Sequence, residues 1–187
     1  MSERKLQILQ SAIEIIATEG YGKLTMRALA RASDMKLGAL QYHFRTWEDL
    51  LQALANYIGT EYQRSFDMAK EGPDDLKLRE FVVFLMDDEA GGPLQSDSLW
   101  PQLWAMAQVE PLLADQLNKI YGDYIETLEE FLVAEGSQNP RAEALALMSQ
   151  IEGSTIFVGR DALWADDAAA MRASVLDTID TKYGKQK

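Results

Sequence analysis

An all-α fold of about nine helices is what this sequence predicts, and three observations predict it. Apolar residues recur three and four positions apart through most of the chain, the spacing that lines one helix face. No segment alternates apolar and polar residues for long enough to argue for a strand. The interruptions fall on helix stop and start signals: Gly20, Thr25, Thr46, Gly72-Pro73, Gly91-Gly92-Pro93 and Gly136 to Pro140.

The first helix is expected over Glu3 to Glu19, with Leu6, Leu9, Ile13 and Ile16 on one face and Gly20 as its stop. Thr25 opens the second as an N-cap, and Leu24 and Leu29 are placed to close a hydrophobic staple over its first turn. Ser33-Asp34 is the turn before a short third helix, Leu37 to Phe44. Thr46 caps the fourth, and Asp49 three residues on completes a capping-box-like arrangement. Leu51, Leu54, Ile58, Tyr62 and Phe66 make that helix's buried stripe, which Gly72-Pro73 ends. Further helices are expected over about 75–88, 97–108, 111–135, 140–164 and 166–183. A functional boundary near residue 47 separates a head, 1–47, from a larger body, 48–187.

Composition narrows the function. Hydrophobic residues make up 47% of the 187, enough for a sizeable core. There is no cysteine, which excludes disulfides and thiolate chemistry and suits a reducing cytoplasm. No apolar run follows the charged N-terminus or approaches the ~18 residues of a membrane span, so neither a signal peptide nor a membrane partner is expected. The net charge is −12, yet residues 1–47 hold seven Lys/Arg against four Asp/Glu. That head is therefore +3 and the remainder −15. An acidic body suppresses non-specific nucleic-acid binding, and a basic head leaves a specific one open.

Residues 25–44 carry the functional signal. Two short helices joined by a tight turn, the second beginning with small residues and ending in polar and aromatic ones, form a helix-turn-helix whose second helix enters the DNA major groove. Ala28, Leu29, Ala32, Met35, Leu40 and Phe44 suit its internal contacts. Gly38 and Ala39 permit close approach, Gln41 can pair with adenine, and Leu37 or Ala39 can touch a thymine methyl. Arg27, Lys36 and Arg45 can neutralise phosphates.

Leu24-Thr25-Met26-Arg27-Ala28-Leu29-Ala30, then Gly38-Ala39-Leu40-Gln41-Tyr42-His43-Phe44, then Glu48-Asp49-Leu50-Leu51 resembles the N-terminal domain of the tetracycline-repressor (TetR) family of bacterial transcription regulators. The resemblance covers about the first 55 residues in order and spacing. It implies a three-helix DNA-binding domain on a larger helical domain for ligand binding and dimerisation. By position it implies that Thr25 and Tyr42 contact phosphates, and that Lys36, Leu37, Gly38, Ala39, Gln41 and His43 lie on or beside the recognition helix. Lys36, Leu37, Gln41 and Trp47 depart from the family pattern; Trp47 stands where a phosphate-gripping lysine is common, and its indole N–H can donate to a phosphate instead, or the ring can simply pack.

In the body, Trp100, Trp104, Tyr121 and Tyr124 are candidates for an effector cavity, although such aromatics also serve as core. Glu152, flanked by Ile151 and Gly153, is expected to be buried and to need a partner, which with tryptophans suits a cationic small molecule. Leu145, Met148 and Ile156 on one helix, and Met171, Val175 and Ile179 on the next, suggest a homodimer closed by a four-helix bundle. The expectation is thus a ligand-responsive regulator, a repressor released from a double-stranded pseudo-palindromic operator by a small molecule. The alternative is a helical protein-binding adaptor that does not touch DNA. Catalysis is not expected: there is no Gly-rich phosphate loop and no nucleophile elbow, and one histidine, His43, cannot build a helical di-iron site. No metal and no cofactor is expected.

Overall fold

A computed structural model describes residues 1–70, 76–87, 94, 99–159 and 162–184. Among them are nine α-helices and no strand: α1 Glu3–Glu19, α2 Met26–Ala32, α3 Leu37–His43, α4 Trp47–Lys70, α5 Leu78–Asp87, α6 Leu99–Ala107, α7 Pro111–Ala134, α8 Pro140–Val158 and α9 Ala168–Tyr183. Short 3-10 turns at Tyr21–Lys23 and Ala165–Asp167 precede α2 and α9. No described helix is long and apolar enough to cross a membrane.

Local chemistry sets the boundaries of the first four helices. Ser2 caps α1 by accepting from the Lys5 N–H at 3.3 Å. Gly20 ends that helix at φ 88°, a left-handed conformation that favours a residue without Cβ. Thr25 Oγ1 accepts from the Ala28 N–H at 3.1 Å. Thr46 and Asp49 satisfy each other's backbone reciprocally, at 3.0 and 3.1 Å, which is the capping box expected there. Gly72-Pro73 and Gly91-Gly92-Pro93 lie outside the described residues.

Two boundaries differ from expectation. Helix α8 stops at Val158, not Trp164, because the chain turns extended at Gly159 (ψ 167°). A Cβ at Gly159 would come within 2.4 Å of the Thr155 carbonyl oxygen, so the sharp exit needs glycine. The next helix starts at Ala168, after the 3-10 turn, and not at Asp166.

The chain packs as two compact units, Met1–Arg64 with Ala90–Ile120, and Ser65–Glu89 with Tyr121–Lys187. In the first, α1 supplies Ile8, Leu9, Ala12, Ile13, Ile15 and Ile16 to a core shared with Leu29, Leu40, Phe44, Leu54, Ile58, Leu103 and Met106. The single stripe expected on α1 is broader than Leu6, Leu9, Ile13 and Ile16, because α6 as well as the head packs on it, and Leu6 itself is only half-buried. In the second unit, Phe66, Phe81, Phe84, Tyr124 and Phe131 form an aromatic nest with ring centroids 5.4 to 6.4 Å apart. Two crossed ion pairs, Arg79–Asp180 and Arg172–Asp87, align α5 antiparallel to α9. They are about half exposed, so they fix register more than they add stability. These units follow packing and do not coincide with the functional boundary expected near residue 47.

Candidate nucleic-acid interface

Helix α3 has one face in the core and one in solvent. Leu40 is fully buried and Phe44, just past the helix, is 2% exposed, so the inner side is anchored by large apolar groups. Lys5 of α1 lies over the Phe44 ring, 5.3 Å from its centroid, and adds a cation–π contact to that anchor. Gly38, Gln41 and Tyr42, spaced i, i+3 and i+4, share the outer face and are exposed, as is Ala39. Tyr42 is 85% exposed, although it retains an edge-to-face contact with His43 at 5.5 Å.

The turn between α2 and α3 is tight and over-determined. Asp34 adopts φ 50°, and the N–H groups of Ser33, Asp34 and Met35 return to the carbonyls of Leu29, Arg31 and Ala30 at 2.8 to 3.1 Å. The Arg4 guanidinium also donates to the Ser33 carbonyl, at 3.1 Å. The first turn of α3 has no side-chain cap, since Lys36 stands at that position and cannot accept. Of the residues expected inside the motif, Leu29, Leu40 and Phe44 are buried and Ala28 and Met35 half-buried. Ala32 is exposed; Ala30 takes the inner place, because the seven-residue α2 turns position 32 outward.

Charge and shape complete this surface. Arg27, Lys36 and Arg45 are exposed, and none is ion-paired among the described residues. A Cβ at Gly38 would meet nothing within 4 Å, so internal packing does not require the glycine. A glycine inside a helix costs about 1 kcal/mol relative to alanine, and its presence here fits an object that approaches α3 from outside. Thr25 is exposed but its side-chain oxygen already caps α2. His43 is half-buried at the rim. Trp47 is half-buried beside Tyr21.

Sequence reasoning missed Tyr21 and Glu110. The Tyr21 hydroxyl donates to Glu110 Oε1 across 89 positions of sequence. Burial, then the bond to Glu110 and its negative charge, push the phenol's pKa well above its usual value, so the hydroxyl stays a donor. No local pattern signals this pair.

The body's candidates divide between the packing units. Trp100 is buried against Tyr62, ring centroids 4.9 Å apart, and Trp104 is half-buried, both in the first unit. Tyr124 is buried in the aromatic nest of the second unit, where Tyr121 and Glu152 are half-buried. Glu152 is therefore more exposed than its flanking apolar residues implied. Leu145 and Ile156 stand 44% and 57% exposed, whereas Met148, Val175 and Ile179 are buried by the chain itself and Met171 half-buried. Among the described residues no cluster of His, Asp or Glu could hold a metal ion.

Residues 8–54 match the bacterial regulatory proteins of the tetR family. Relatives include an HTH-type transcriptional regulator from the dhlA 5′ region of Xanthobacter autotrophicus, 28% identical over 80% of this chain and 77% of the relative. Another is the HTH-type nicotine-responsive transcriptional repressor HdnoR of Paenarthrobacter nicotinovorans, 24% identical over 71% of this chain and 69% of the relative. The crystal structure of a TetR-family transcriptional regulator from Rhodococcus sp. superposes with a TM-score of 0.74, at 25% identity, over 97% of this chain and all of the other.

Proposed function

We propose that this chain, which belongs to the TetR family of transcriptional regulators and is not an enzyme, is a repressor that a small molecule releases from a pseudo-palindromic operator. The observation that carries the reading is helix α3: anchored through Leu40, and exposing Gly38, Ala39, Gln41 and Tyr42 on a surface with cations that are not ion-paired among the described residues. Gln41 reads a base edge, Ala39 or Leu37 a thymine methyl, and Tyr42, Thr25, Arg27, Lys36 and Arg45 hold phosphates, with His43 beside them. Trp47, the first residue of α4, donates its indole N–H to a phosphate or packs beneath this surface. Residues 1–47 thus read DNA, and 48–187 bind the effector and dimerise. A DNA-reading role places the protein in the cytoplasm.

The homodimer is assigned to α8 and α9. Leu145 and Ile156 are exposed apolar residues on α8, and Gly153, inside the same helix, has no neighbour within 4 Å of where its Cβ would sit. A second copy of that helix crossing at Gly153 accounts for both features. Met148, Val175 and Ile179 support it from beneath, since they are buried within the protomer. A two-fold dimer presents two reading helices one turn of DNA apart. A ligand that favours another arrangement empties the operator by population shift.

The effector is assigned to the cationic aromatic amines, a class suited by Trp100 and Trp104 in the first unit and, separately, by Tyr121, Tyr124 and Glu152 in the second. The aromatic side chains and the half-buried carboxylate support that class, as does the nicotine response named for the Paenarthrobacter relative. Titration calorimetry with aromatic amines, neutral aromatics and aromatic carboxylates tests it. Amines should bind most tightly and lower affinity for DNA; uniform preference for the carboxylates contradicts the assignment.

A further inference from the structure

Three segments of the first unit meet at one phenol. Tyr21 sits in the turn that joins α1 to α2. Trp47, beside Tyr21, is the first residue of α4, three positions beyond the α3 cap at Phe44. Glu110, which accepts the Tyr21 proton, is the corner between α6 and α7: its N–H closes α6 on the Met106 carbonyl and its own carbonyl receives the Ala114 N–H of α7. The Glu110 carboxylate could cap α7, yet it turns to Tyr21 instead. Nearby, the Gln102 side chain of α6 lies 3.4 Å from where a Cβ on Gly20 would be, so the same turn is packed as well as bonded.

We propose that Glu110 is a positioning residue for DNA recognition: through Tyr21 it fixes the turn that leads into the helix-turn-helix. The inference rests on the reading of α3 as the DNA-contacting helix. The hydroxyl–carboxylate bond is charge-assisted, and such bonds are shorter and stronger than neutral ones. Loss of the acceptor leaves a part-buried donor unmatched and frees the turn from the α6–α7 corner. Neither Tyr21 nor Glu110 touches DNA in this account, so their removal changes how well α3 is held and not what it reads.

The test begins with a duplex selected by the wild-type chain from a random library at low ionic strength. Affinity for that duplex is then measured by fluorescence anisotropy for Tyr21→Phe, Glu110→Ala, Glu110→Gln and the Tyr21→Phe/Glu110→Ala double variant. All are assayed well below their melting temperatures, checked by circular dichroism. Tyr21→Phe and Glu110→Ala should each weaken binding by about threefold to thirtyfold, the span of mutations that act through intermediaries. The double variant should be no weaker than the worse single one, and Glu110→Gln, which keeps an acceptor, should recover most of the affinity. The base preference of every variant should match wild type. Unchanged affinity in Tyr21→Phe, or losses that multiply in the double variant, overturns the proposal. If the wild-type chain enriches no duplex, the DNA reading itself has failed and the positioning role falls with it.

Discussion

Gln41→Ala should relax base preference at one position of each operator half-site, whereas Tyr42→Ala should weaken binding to every sequence alike. Both side chains are exposed on the outer face of α3, so neither change should disturb the fold; surface substitutions away from special features usually move stability by less than about 0.5 kcal/mol. Their chemistry separates them. The Gln41 amide carries a donor and an acceptor, which matches the paired groups of adenine in the major groove, and a bidentate contact discriminates by about 1–3 kcal/mol against the wrong base. The Tyr42 hydroxyl donates to a phosphate, a group common to all base pairs, and so holds register without reading sequence. A mobility-shift series over duplexes carrying each base at each position should show a flattened profile for Gln41→Ala and a parallel downward shift for Tyr42→Ala. Two identical profiles contradict this division of labour.

Ile156→Asp should convert a dimer to a monomer and lower operator affinity by about 10²- to 10⁴-fold, the gain that linkage of two binding modules supplies. In the protomer Ile156 is 57% exposed, so a carboxylate there is hydrated and the monomer should fold. In the two-fold interface proposed for α8, two such carboxylates would be desolvated without a partner, a cost of several kcal/mol. Sedimentation velocity should report half the mass, circular dichroism an unchanged helix content. Met148→Ala makes the contrast: Met148 is 6% exposed within the protomer, so its truncation should lower the melting temperature and leave the mass unchanged. A variant at Ile156 that sediments as wild type and keeps full affinity removes α8 from the interface.

Some of this was legible before any coordinates. Thr25, Thr46, Asp49 and Gly20 bound their helices by side-chain and backbone chemistry that acts within four residues, and such signals survive whatever packs around them. The inner and outer faces of α3 followed from 3.6-residue periodicity once Leu40 was taken as inward. Periodicity says that a stripe is covered, not by what. It grouped Met148, Val175 and Ile179 with Leu145 and Ile156, although the first three pack inside the chain and the last two remain outside. The end of α8 differs from the expected 140–164 for a local reason: the extended geometry of Gly159 stops the helix at Val158. Tyr21 and Glu110 left no trace at all, because a bond across 89 positions exists only after the helices have docked.

The central claim is that α3 enters the major groove and selects a sequence. Selection of bound fragments from a random duplex library by the purified wild-type chain, at low and raised ionic strength, tests it most directly. The account predicts enrichment of a pseudo-palindrome whose half-site centres lie about one helical turn apart, roughly 34–36 Å, with affinity falling steeply as salt is added. A library that emerges without preference for any double-stranded sequence, even at low ionic strength, would contradict it.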